Sequence, residues 1–500
     1  MATRARSETD SRLRGFDAFV RRRMKEWGVP GLAIGIVRGS RVVHAKGYGL
    51  SDVERSRRIT EDTLFCIGSC TKAFTATGIA MLVDEGKLEW DRPVREYLPS
   101  FRMRDPVATK KATLRDLLTH QWGLPAHNMV WFGSSATRAE VVRGLRHLEA
   151  NRQFRSGFQY SGLAYLAAAA VLERVIGKTW EQFTRERLFD PLAMTSSRFL
   201  GEAQRRGSEV SSGNELAVGY ARDTKKKKGV APYFRGRAKD LDAHWVIGPM
   251  APAGGIVSSV ADMCRWLRFQ LNRGKVGKGP LVTERSLQET HTPQVVSPGH
   301  SNGKELLDAS YAMAWWVQPY RGHRLIWHGG SIPGFTAGVS FMPRESIGVV
   351  VLTNSTRHPL WRIVPYRVYD LLLRLHPIAW NARVKKHLSQ WDAAQSAPDR
   401  RGARRRGAPA PPRALEDFVG AYEHPAYGRV SVSRGAGRLT LEFHGIIHQV
   451  RRHRPNGFQI IDPWNCTADV TFHVDEAGRI QSLQIPFEPS VSDIVFRKAK

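Results

Sequence analysis

Cysteine is scarce in this chain, and no metal-binding pattern accompanies it. The 500 residues include four cysteines, Cys66, Cys70, Cys264 and Cys466, which is too few for a disulfide framework in a chain of this length. The first two lack metal-ligand spacing, and the 17 histidines form no HExxH pattern. The sequence therefore predicts neither a disulfide-stapled domain nor a metal site.

Long apolar segments are also missing. The longest, LAYLAAAAVL at 163–172, is too short to span a bilayer. The first residues, MATRARSETDSRLRGF, are basic and lack the apolar core of a secretory signal. We expect a protein without a transmembrane segment in the cytoplasm, or in the periplasm or outside the cell if the natural start lies upstream.

Acidic residues are few relative to basic ones. The 76 lysines and arginines against 46 aspartates and glutamates give a net charge of +30. A field of this sign attracts nucleic acid, anionic lipid or a polyanionic cell-wall polymer. The densest clusters, KKKK at 225–228 and the arginines of 400–406, lie in Gly- and Pro-flanked stretches without interleaved aromatics. This pattern favours solvated loops over a specific nucleic-acid site, and contact of the basic surface with an anionic polymer stays open.

The length and the hydrophobic fraction of 42% predict two or three folded units. The periodicities predict a mixed α/β domain over 12–378, with an antiparallel sheet, flanking helices and an all-α insertion at about 100–245. A Pro- and Arg-rich linker over 379–414 and a small all-β domain over 415–500 follow. The predicted strands cover 31–49, 311–317, 323–328, 338–343 and 347–354, and the predicted helices 69–85, 163–176 and 364–375.

The stretch FCIGSCTKAF at 65–74 places Ser69 three residues before Lys72 at the start of a predicted helix. Residues i and i+3 share a helix face, and the positive end of a helix favours negative charge on the serine oxygen. A serine becomes a nucleophile when a base takes its proton, and lysine can act as that base when its pKa is lowered. The spacing also arises by chance, so alone it favours two ordinary residues of a buried helix.

Two further segments offer partners for this pair. GFQYSGLAY at 157–165 places Tyr160 just before a helix. A phenol beside a lysine ammonium is drawn toward phenolate and can then act as a base and later as an acid. Taken singly, the tyrosine fits a buried residue with a satisfied hydroxyl. APAGGIVSSVADMCRWLRF at 251–269 gives a Gly-Gly turn and a capped helix, which we interpret as a wall of the cleft.

The segment IWHGGSIPGF at 326–335 ends a predicted strand with His328, Gly329 and Gly330. The two glycines would let a substrate backbone lie close to a strand edge. The amide of Ser331 would join the amide of the nucleophilic serine in an oxyanion hole. The alternative interpretation of HGG is a tight β-turn. No G-x-S-x-G pattern is present, which excludes an α/β-hydrolase nucleophile elbow.

In this order, the segments resemble the serine β-lactamase and penicillin-binding protein superfamily, above all its class C-like branch. That branch includes D-alanyl-D-alanine carboxypeptidase-like hydrolases of peptidase family S12, D-aminopeptidases and related esterases. The resemblance covers about 15–376 and includes TLRDLLTHQWGLP at 113–125, similar to the family's LLTHTSGLP, and DRPVREYLP at 91–99. GAYEHPAYGRVSV at 420–432 is similar to the small β-barrel often appended to such hydrolases.

The resemblance implies a β-lactamase/transpeptidase-like fold and a role for each candidate residue. Ser69 would be the acylated nucleophile, and Lys72 the proton acceptor or the charge that lowers the tyrosine pKa. Tyr160 would activate the serine and then the deacylating water. The His328 strand would bind the substrate, and the amides of Ser69 and Ser331 would hold the oxyanion. No metal or organic cofactor is needed for this chemistry.

The sequence departs from the family pattern at three places. Tyr160-Ser161-Gly162 stands where relatives commonly have Tyr-x-Asn, His328 stands where many have the lysine of Lys-Thr-Gly, and Trp122 replaces a small residue. These departures point away from a β-lactamase and toward an ester, a D-amino peptide or another small acyl substrate. We therefore predict a serine hydrolase that forms an acyl-enzyme. The alternatives are a carboxylesterase of the same fold and an inactive basic scaffold that binds an anionic polymer.

Overall fold

The computed structural model describes residues 10–205, 215–222, 230–232, 247–277, 279–297, 303–386, 413–435, 437–461 and 467–499. Four features of the sequence lie outside these ranges: the KKKK run at 225–228, the arginines of 400–406, Cys466 and most of the predicted linker at 379–414. The described cysteines Cys66, Cys70 and Cys264 are buried and unpaired.

Helices and short strands alternate through the first part of the chain, and the described residues of its last part form a 3₁₀ turn, Leu415–Phe418, followed by strands. The α-helices described here are α1 (Phe16–Trp27), α2 (Lys72–Asp84), α3 (Val94–Tyr97), α4 (Pro106–Lys111), α5 (Leu114–Leu118), α6 (Arg138–Gly144), α7 (Gly162–Ile176), α8 (Trp180–Thr184), α9 (Leu200–Arg205), α10 (Ala251–Gly254), α11 (Val260–Leu271), α12 (Glu284–His291) and α13 (Leu360–Leu372). The strands that precede the C-terminal part are β1 (Gly31–Arg38), β2 (Arg41–Asp52), β3 (Arg57–Arg58), β4 (Leu64–Cys66), β5 (Arg198–Phe199), β6 (Tyr220–Arg222), β7 (Val230–Pro232), β8 (Ile256–Ser259), β9 (Lys275–Val276), β10 (Gly279–Pro280), β11 (Val295–Ser297), β12 (Ala309–Tyr311), β13 (Trp316–Tyr320), β14 (His323–Ile332), β15 (Phe335–Met342) and β16 (Ile347–Thr353).

The central sheet joins both ends of the first domain. Its described strands run in the order β11-β12-β13-β14-β15-β16-β1-β2-β3, with antiparallel neighbours. Leu32 of β1 pairs with Thr353 of β16, so a strand from the beginning of the domain lies beside one from its end. This is the predicted arrangement, in which a helical insertion separates two parts of one antiparallel sheet.

The sheet has a hydrophobic core on each face because β1 is apolar on both sides. Leu32, Ile34 and Ile36 pack into the core that contains α1 and α13. Ala33 and Val37 face the opposite core, which contains α11. Successive side chains of a strand point to opposite faces, and a strand covered by helices on both faces therefore consists of a continuous apolar run.

Two helices are central to the core that lies beside the candidate site. In α7 the side chains from Leu163 to Leu172 are buried, and in α2 those from Lys72 to Leu82 are buried. A helix that is apolar on all sides has neighbours on all sides. The buried position of α2 fixes the residues at its amino end, where a 3₁₀ turn, Gly68–Thr71, leads into the helix.

The structure corrects two predicted strands. The predicted strand 311–317 is two strands, β12 and β13, joined by a turn in which the Ala312 amide donates to the Trp315 carbonyl at 2.7 Å. The residues of that turn are buried, so no polar signal marks it. The predicted strand 323–328 extends to Ile332, so HGG lies within β14 and is not the tight turn offered as its alternative.

The C-terminal part is a closed eight-stranded barrel, in agreement with the all-β prediction. Its alternating residues point inward, as in β19, where Leu439, Leu441 and Phe443 are buried. The barrel strands are β17 (Gly420–His424), β18 (Gly428–Gly435), β19 (Arg438–Phe443), β20 (Ile446–Arg454), β21 (Gly457–Ile461), β22 (Thr467–Val474), β23 (Ile480–Ile485) and β24 (Ile494–Lys498).

The described residues were compared with what a metal site and a membrane-spanning helix require. No group of three or more His, Cys, Asp or Glu side chains arranged to hold a metal ion occurs in the part of the chain that the structure describes. Within the same ranges, no helix combines the length and apolar content needed to cross a membrane.

Candidate active site

The predicted pair Ser69 and Lys72 is assembled at the amino end of α2. The Lys72 Nζ lies 3.0 Å from the Ser69 Oγ and donates to the Ala253 carbonyl at 2.8 Å. The lysine is only 2% exposed, and burial lowers its pKa to about 7. Near neutral pH, the amine therefore exists in part as the free base, beside the hydroxyl that it would deprotonate.

The segment predicted to form a cleft wall supplies the second contact of this lysine, which the sequence did not indicate. Helix α10 packs against the 3₁₀ turn and α2, and the Thr75 hydroxyl donates to the Pro252 carbonyl at 2.7 Å. The Ile256 amide donates to the Thr71 hydroxyl at 3.1 Å. These bonds hold the Ala253 carbonyl over the lysine, so its Nζ is fixed between two oxygen atoms.

Tyr160 reaches the same place from the residues that precede α7. The Lys72 Nζ lies 5.0 Å from the centroid of its ring, and the neighbouring Ser69 side chain acts to lower the pKa of its phenol. Burial raises the pKa of the phenol above its ordinary value, the opposite of the lowering expected from a neighbouring ammonium. At neutral pH the tyrosine is a protonated donor, and the lysine is the group that titrates.

Strand β14 passes so close to the turn that carries Ser69 that glycine is required. A Cβ on Gly330 would lie 1.8 Å from the Ile67 carbonyl oxygen and 3.0 Å from the Ser69 amide nitrogen. A Cβ on Gly68, which has a φ of 51°, would lie 2.8 Å from the Ser331 amide nitrogen. The two segments that carry the predicted oxyanion-hole amides therefore lie backbone to backbone, as an oxyanion hole requires.

His328 lies on the same strand, and both nitrogens of its ring are engaged by neighbouring protein groups. It is 1% exposed, and its Nδ1 lies 2.7 Å from the Gly329 carbonyl, which can only accept a hydrogen bond. Nδ1 thus carries a proton, and Nε2 lies 3.2 Å from the Tyr311 hydroxyl. A buried ring that is engaged at both nitrogens does not replace the substrate-binding lysine of related sequences.

The departure at Gly162 has a structural cause. A Cβ at this position would lie 2.4 Å from the terminal methyl carbon of Met250. The methionine occupies the space where the side chain of an asparagine would begin, and the lysine bonds a main-chain carbonyl instead. Trp122, the third departure, is 1% exposed and belongs to the hydrophobic core.

Aromatic rings line one side of the site. Trp316 stacks on Tyr160 with ring centroids 5.9 Å apart and also stacks on Trp327 at 4.8 Å. Phe158 lies 6.3 Å from the same tyrosine. Phe158 and Trp316 are partly exposed, and together these rings form a surface suited to an apolar or aromatic substrate group.

An antiparallel sheet flanked by helices, with a Ser-x-x-Lys pair at the start of a buried helix, is the architecture of the β-lactamases and transpeptidases. The chain belongs to the β-lactamase family, because the model of that family matches residues 16–372. Residues 404–498, which include the barrel, match a domain of unknown function, DUF3471.

Curated relatives include proteins named as hydrolases. Unguisins hydrolase ungD' of Aspergillus campestris is 28% identical over 453 residues, which cover 86% of this chain and 80% of the relative. Protein flp of Staphylococcus aureus strain COL is 25% identical over 351 residues, which cover 69% of this chain and 64% of the relative. The chain thus spans less than two thirds of flp. The family and these names identify a β-lactamase-fold hydrolase in general terms.

Solved structures share the fold. A penicillin-binding protein homologue from Pyrococcus abyssi, described as octameric, aligns with a TM-score of 0.62 at 22% identity and covers 97% of this chain and 100% of its own. A D-amino acid amidase from Ochrobactrum anthropi SV3, complexed with L-phenylalanine amide, aligns with a TM-score of 0.56 at 24% identity and covers 72% and 95%. At these identities the likeness is one of fold.

Proposed function

We propose that this chain is a serine hydrolase that forms a covalent acyl-enzyme on Ser69 with a small amide or ester substrate. The observation that carries the proposal is the buried Lys72, whose amine lies 3.0 Å from the serine oxygen and has its pKa lowered to about 7. A base whose pKa lies near the working pH is the most effective one. A lysine with no catalytic role is rarely buried without a carboxylate partner.

The proton transfers follow from these pKa directions. The neutral amine of Lys72 takes the hydroxyl proton as the Ser69 Oγ attacks the carbonyl carbon of the substrate. The amides of Ser69 and Ser331 hold the oxyanion that forms. Tyr160 gives its proton to the leaving nitrogen or oxygen and recovers one from the lysine ammonium. Water then attacks the ester by the same transfers and releases the acid and the free serine.

The charge around the site favours a substrate without a carboxylate. Among the described residues at the nucleophile, Lys72 is the cationic side chain, and its amine is engaged by Ser69 and Ala253. The His328 ring is buried, and its two nitrogens are engaged by the Gly329 carbonyl and the Tyr311 hydroxyl, so neither is free to bind a carboxylate. We therefore propose an uncharged amide or ester whose apolar group rests on the aromatic rings, as opposed to a β-lactam or a peptide with a free D-alanine carboxylate. The relative named for D-amino acid amides is consistent with this class.

The first experiment is intact mass measurement after brief exposure to a fluorophosphonate, a short activated ester and a penicillin. We expect adducts from the fluorophosphonate and the ester on the wild type and none on Ser69→Ala. Ser100→Ala is the control, since Ser100 is an exposed serine outside the proposed chemistry. A wild type that forms no adduct with any reagent contradicts the covalent mechanism and favours the scaffold alternative.

Turnover of D-phenylalanine amide, short acyl esters and D-alanyl-D-alanine peptides then ranks the substrate classes. We expect the amide and the esters to be hydrolysed and the free-carboxylate peptide to be hydrolysed far more slowly. Hydrolysis of the esters alone would identify the carboxylesterase alternative. Preferred hydrolysis of the D-alanyl-D-alanine peptide would overturn the proposed substrate class.

A further inference from the structure

We infer that the C-terminal barrel positions Tyr160 by holding the segment 120–127, so that the active site extends structurally into the second domain. This inference rests on the proposed function for the catalytic importance of Tyr160. Its structural part, which links the barrel to the tyrosine backbone, stands on hydrogen bonds alone.

The backbone on both sides of Tyr160 is bonded to His120. The Gln159 amide donates to the His120 carbonyl at 2.8 Å. The Ser161 amide donates to the His120 Nδ1 at 3.2 Å, and the Ser161 hydroxyl donates to the Pro125 carbonyl at 2.9 Å. The histidine is fully buried, and its ring centroid lies 4.4 Å from that of the tyrosine. The position of the phenol therefore depends on where the segment 120–125 lies.

The same segment ends on the barrel. His127 is fully buried and has a φ of 41°, which a residue other than glycine rarely adopts unless its surroundings impose it. Its amide donates to the Glu488 carboxylate at 2.8 Å. Its Nε2 lies 2.8 Å from the Glu149 carbonyl, so Nε2 carries the proton and Nδ1 accepts from the Tyr427 hydroxyl at 2.7 Å. Two of these three partners belong to the barrel domain.

Other contacts keep the barrel against this part of the first domain. The His444 Nδ1 donates to the Phe132 carbonyl at 2.7 Å, while its Nε2 lies 2.9 Å from the Tyr427 carbonyl. The Ser492 hydroxyl donates to the Glu149 carboxylate at 3.2 Å. A displaced barrel would break these bonds together, and His127 would lose the groups that impose its backbone conformation. Only one residue separates His127 from the carbonyl that holds Ser161.

The test compares two buried barrel tyrosines in the full-length protein. The Tyr427 hydroxyl donates across the domain boundary to His127, whereas the Tyr422 hydroxyl donates within the barrel domain to the Phe418 carbonyl at 2.9 Å. Tyr427→Phe and Tyr422→Phe remove the same atom, and their thermal unfolding shows whether each variant folds. Glu488→Ala removes the carboxylate that accepts from the His127 amide across the domain boundary, and Glu488→Gln keeps an oxygen that can accept from it.

Two measurements are made on each variant. Hydrogen exchange of the amides of Gln159 and Ser161 needs no activity, and we expect it to be faster in Tyr427→Phe and Glu488→Ala than in Tyr422→Phe and Glu488→Gln. With an activated ester, we expect the first two variants to lose about tenfold in kcat with little change in KM, because a small misplacement of a catalytic group lowers the rate of the chemical step. The other two should keep kcat near that of the wild type.

The outcomes separate the two proposals. Unchanged exchange at both amides in Tyr427→Phe would overturn the link between barrel and tyrosine, whatever the activity. Faster exchange with an unchanged kcat would overturn the positioning of Tyr160 for catalysis. A wild type without Ser69-dependent turnover, combined with faster exchange in the variant, would overturn the proposed function and leave the structural link supported.

Discussion

Lys72 shows how a single buried residue can couple chemistry to stability. Burial lowers its pKa from 10.5 to about 7 in the folded chain, while the unfolded chain keeps the ordinary value. Between these two values the unfolded state binds the additional proton, so stability increases as the pH rises through this window. Below the lower value both states are protonated, and the cost of the buried charge is present in full. The side chain proposed to activate the serine therefore weakens the fold at acidic and neutral pH relative to alkaline pH.

The pH dependence of the reaction identifies the base. If neutral Lys72 removes the serine proton, kcat/KM for an activated ester should rise with pH through about 7 in the wild type. Lys72→Ala should lose this rise and about 10²–10⁴-fold in rate, whereas Lys87→Ala, which changes an exposed lysine paired with Glu85, should keep both. A rate that falls as pH rises above 7 would instead assign the base to Tyr160 and the needed charge to the lysine.

Gly330 is a residue at which the structure has no space for a side chain. A methyl group there would meet the Ile67 carbonyl oxygen at 1.8 Å, so β14 and the nucleophile turn would have to separate. We expect Gly330→Ala to lower kcat by at least about 100-fold, as loss of an oxyanion donor does. Gly279→Ala, in open space with ordinary backbone angles, is the matched control. Normal turnover by Gly330→Ala in ester assays would contradict the oxyanion hole proposed for this strand.

At the scale of elements, the packing of α7 against the Gly248–Met250 turn limits the size of the side chain at position 162, two residues after Tyr160. The Met250 methyl group fills the space beside Gly162. We expect Gly162→Asn to destabilise the chain by about 1–3 kcal/mol through overpacking, and Gly162→Asn with Met250→Ala to recover part of that loss. Urea unfolding of the single and double variants gives the coupling free energy. Strictly additive changes would show that these two side chains do not compete for one space.

Elements with strong local patterns could be predicted from the sequence, and their ends could not. The hairpin of β1 and β2 follows from two apolar runs around Gly39 and Ser40. Helix α13 starts at Leu360, before the predicted 364. Pro365 therefore lies inside the helix and not in its first turn. Its missing amide leaves the Trp361 carbonyl without the usual intrahelical partner, and that carbonyl packs against Gly338. The contact belongs to the tertiary structure, and no local rule reports it.

The candidate site also has a part that could be predicted from the sequence and a part that could not. Ser69 and Lys72 are three residues apart on one chain segment, so their proximity follows from the geometry of a helical turn. The contact of the lysine with Ala253 joins residues far apart in sequence. One hydrogen bond of the His328 ring likewise involves a residue distant in sequence, Tyr311. The candidate Ser-x-x-Lys pair is local, whereas its environment is assembled from the whole domain.

At the scale of the molecule, one buried carboxylate connects three parts of the first domain. Asp370 of α13 accepts from the Tyr320 hydroxyl at 2.8 Å, from the Arg321 guanidinium at 2.6 Å and from the Trp380 indole at 3.1 Å. It is 2% exposed. The sheet edge, the helix and the chain that follows the helix therefore share one acceptor, and removing it deprives the half-buried Arg321 of its carboxylate partner.

We expect Asp370→Ala to lower the free energy of unfolding by about 3–5 kcal/mol, as breaking a buried ion pair does. Asp475→Ala removes a carboxylate that is paired with the exposed Arg479, and it should cost less than about 1 kcal/mol. Urea unfolding followed by tryptophan fluorescence measures both. Equal losses in the two variants would mean that the buried network contributes no more than a surface pair.

The order of strands in the central sheet also determines when contacts can form during synthesis on the ribosome. Strand β1 is synthesised long before its neighbour β16, since Leu32 pairs with Thr353. Contacts this distant in sequence form late and slowly. The turn that carries Ser69 likewise acquires its proposed anion-binding side only after Gly330 and Ser331 have been made. The nascent chain would therefore carry its proposed nucleophile well before it could use it.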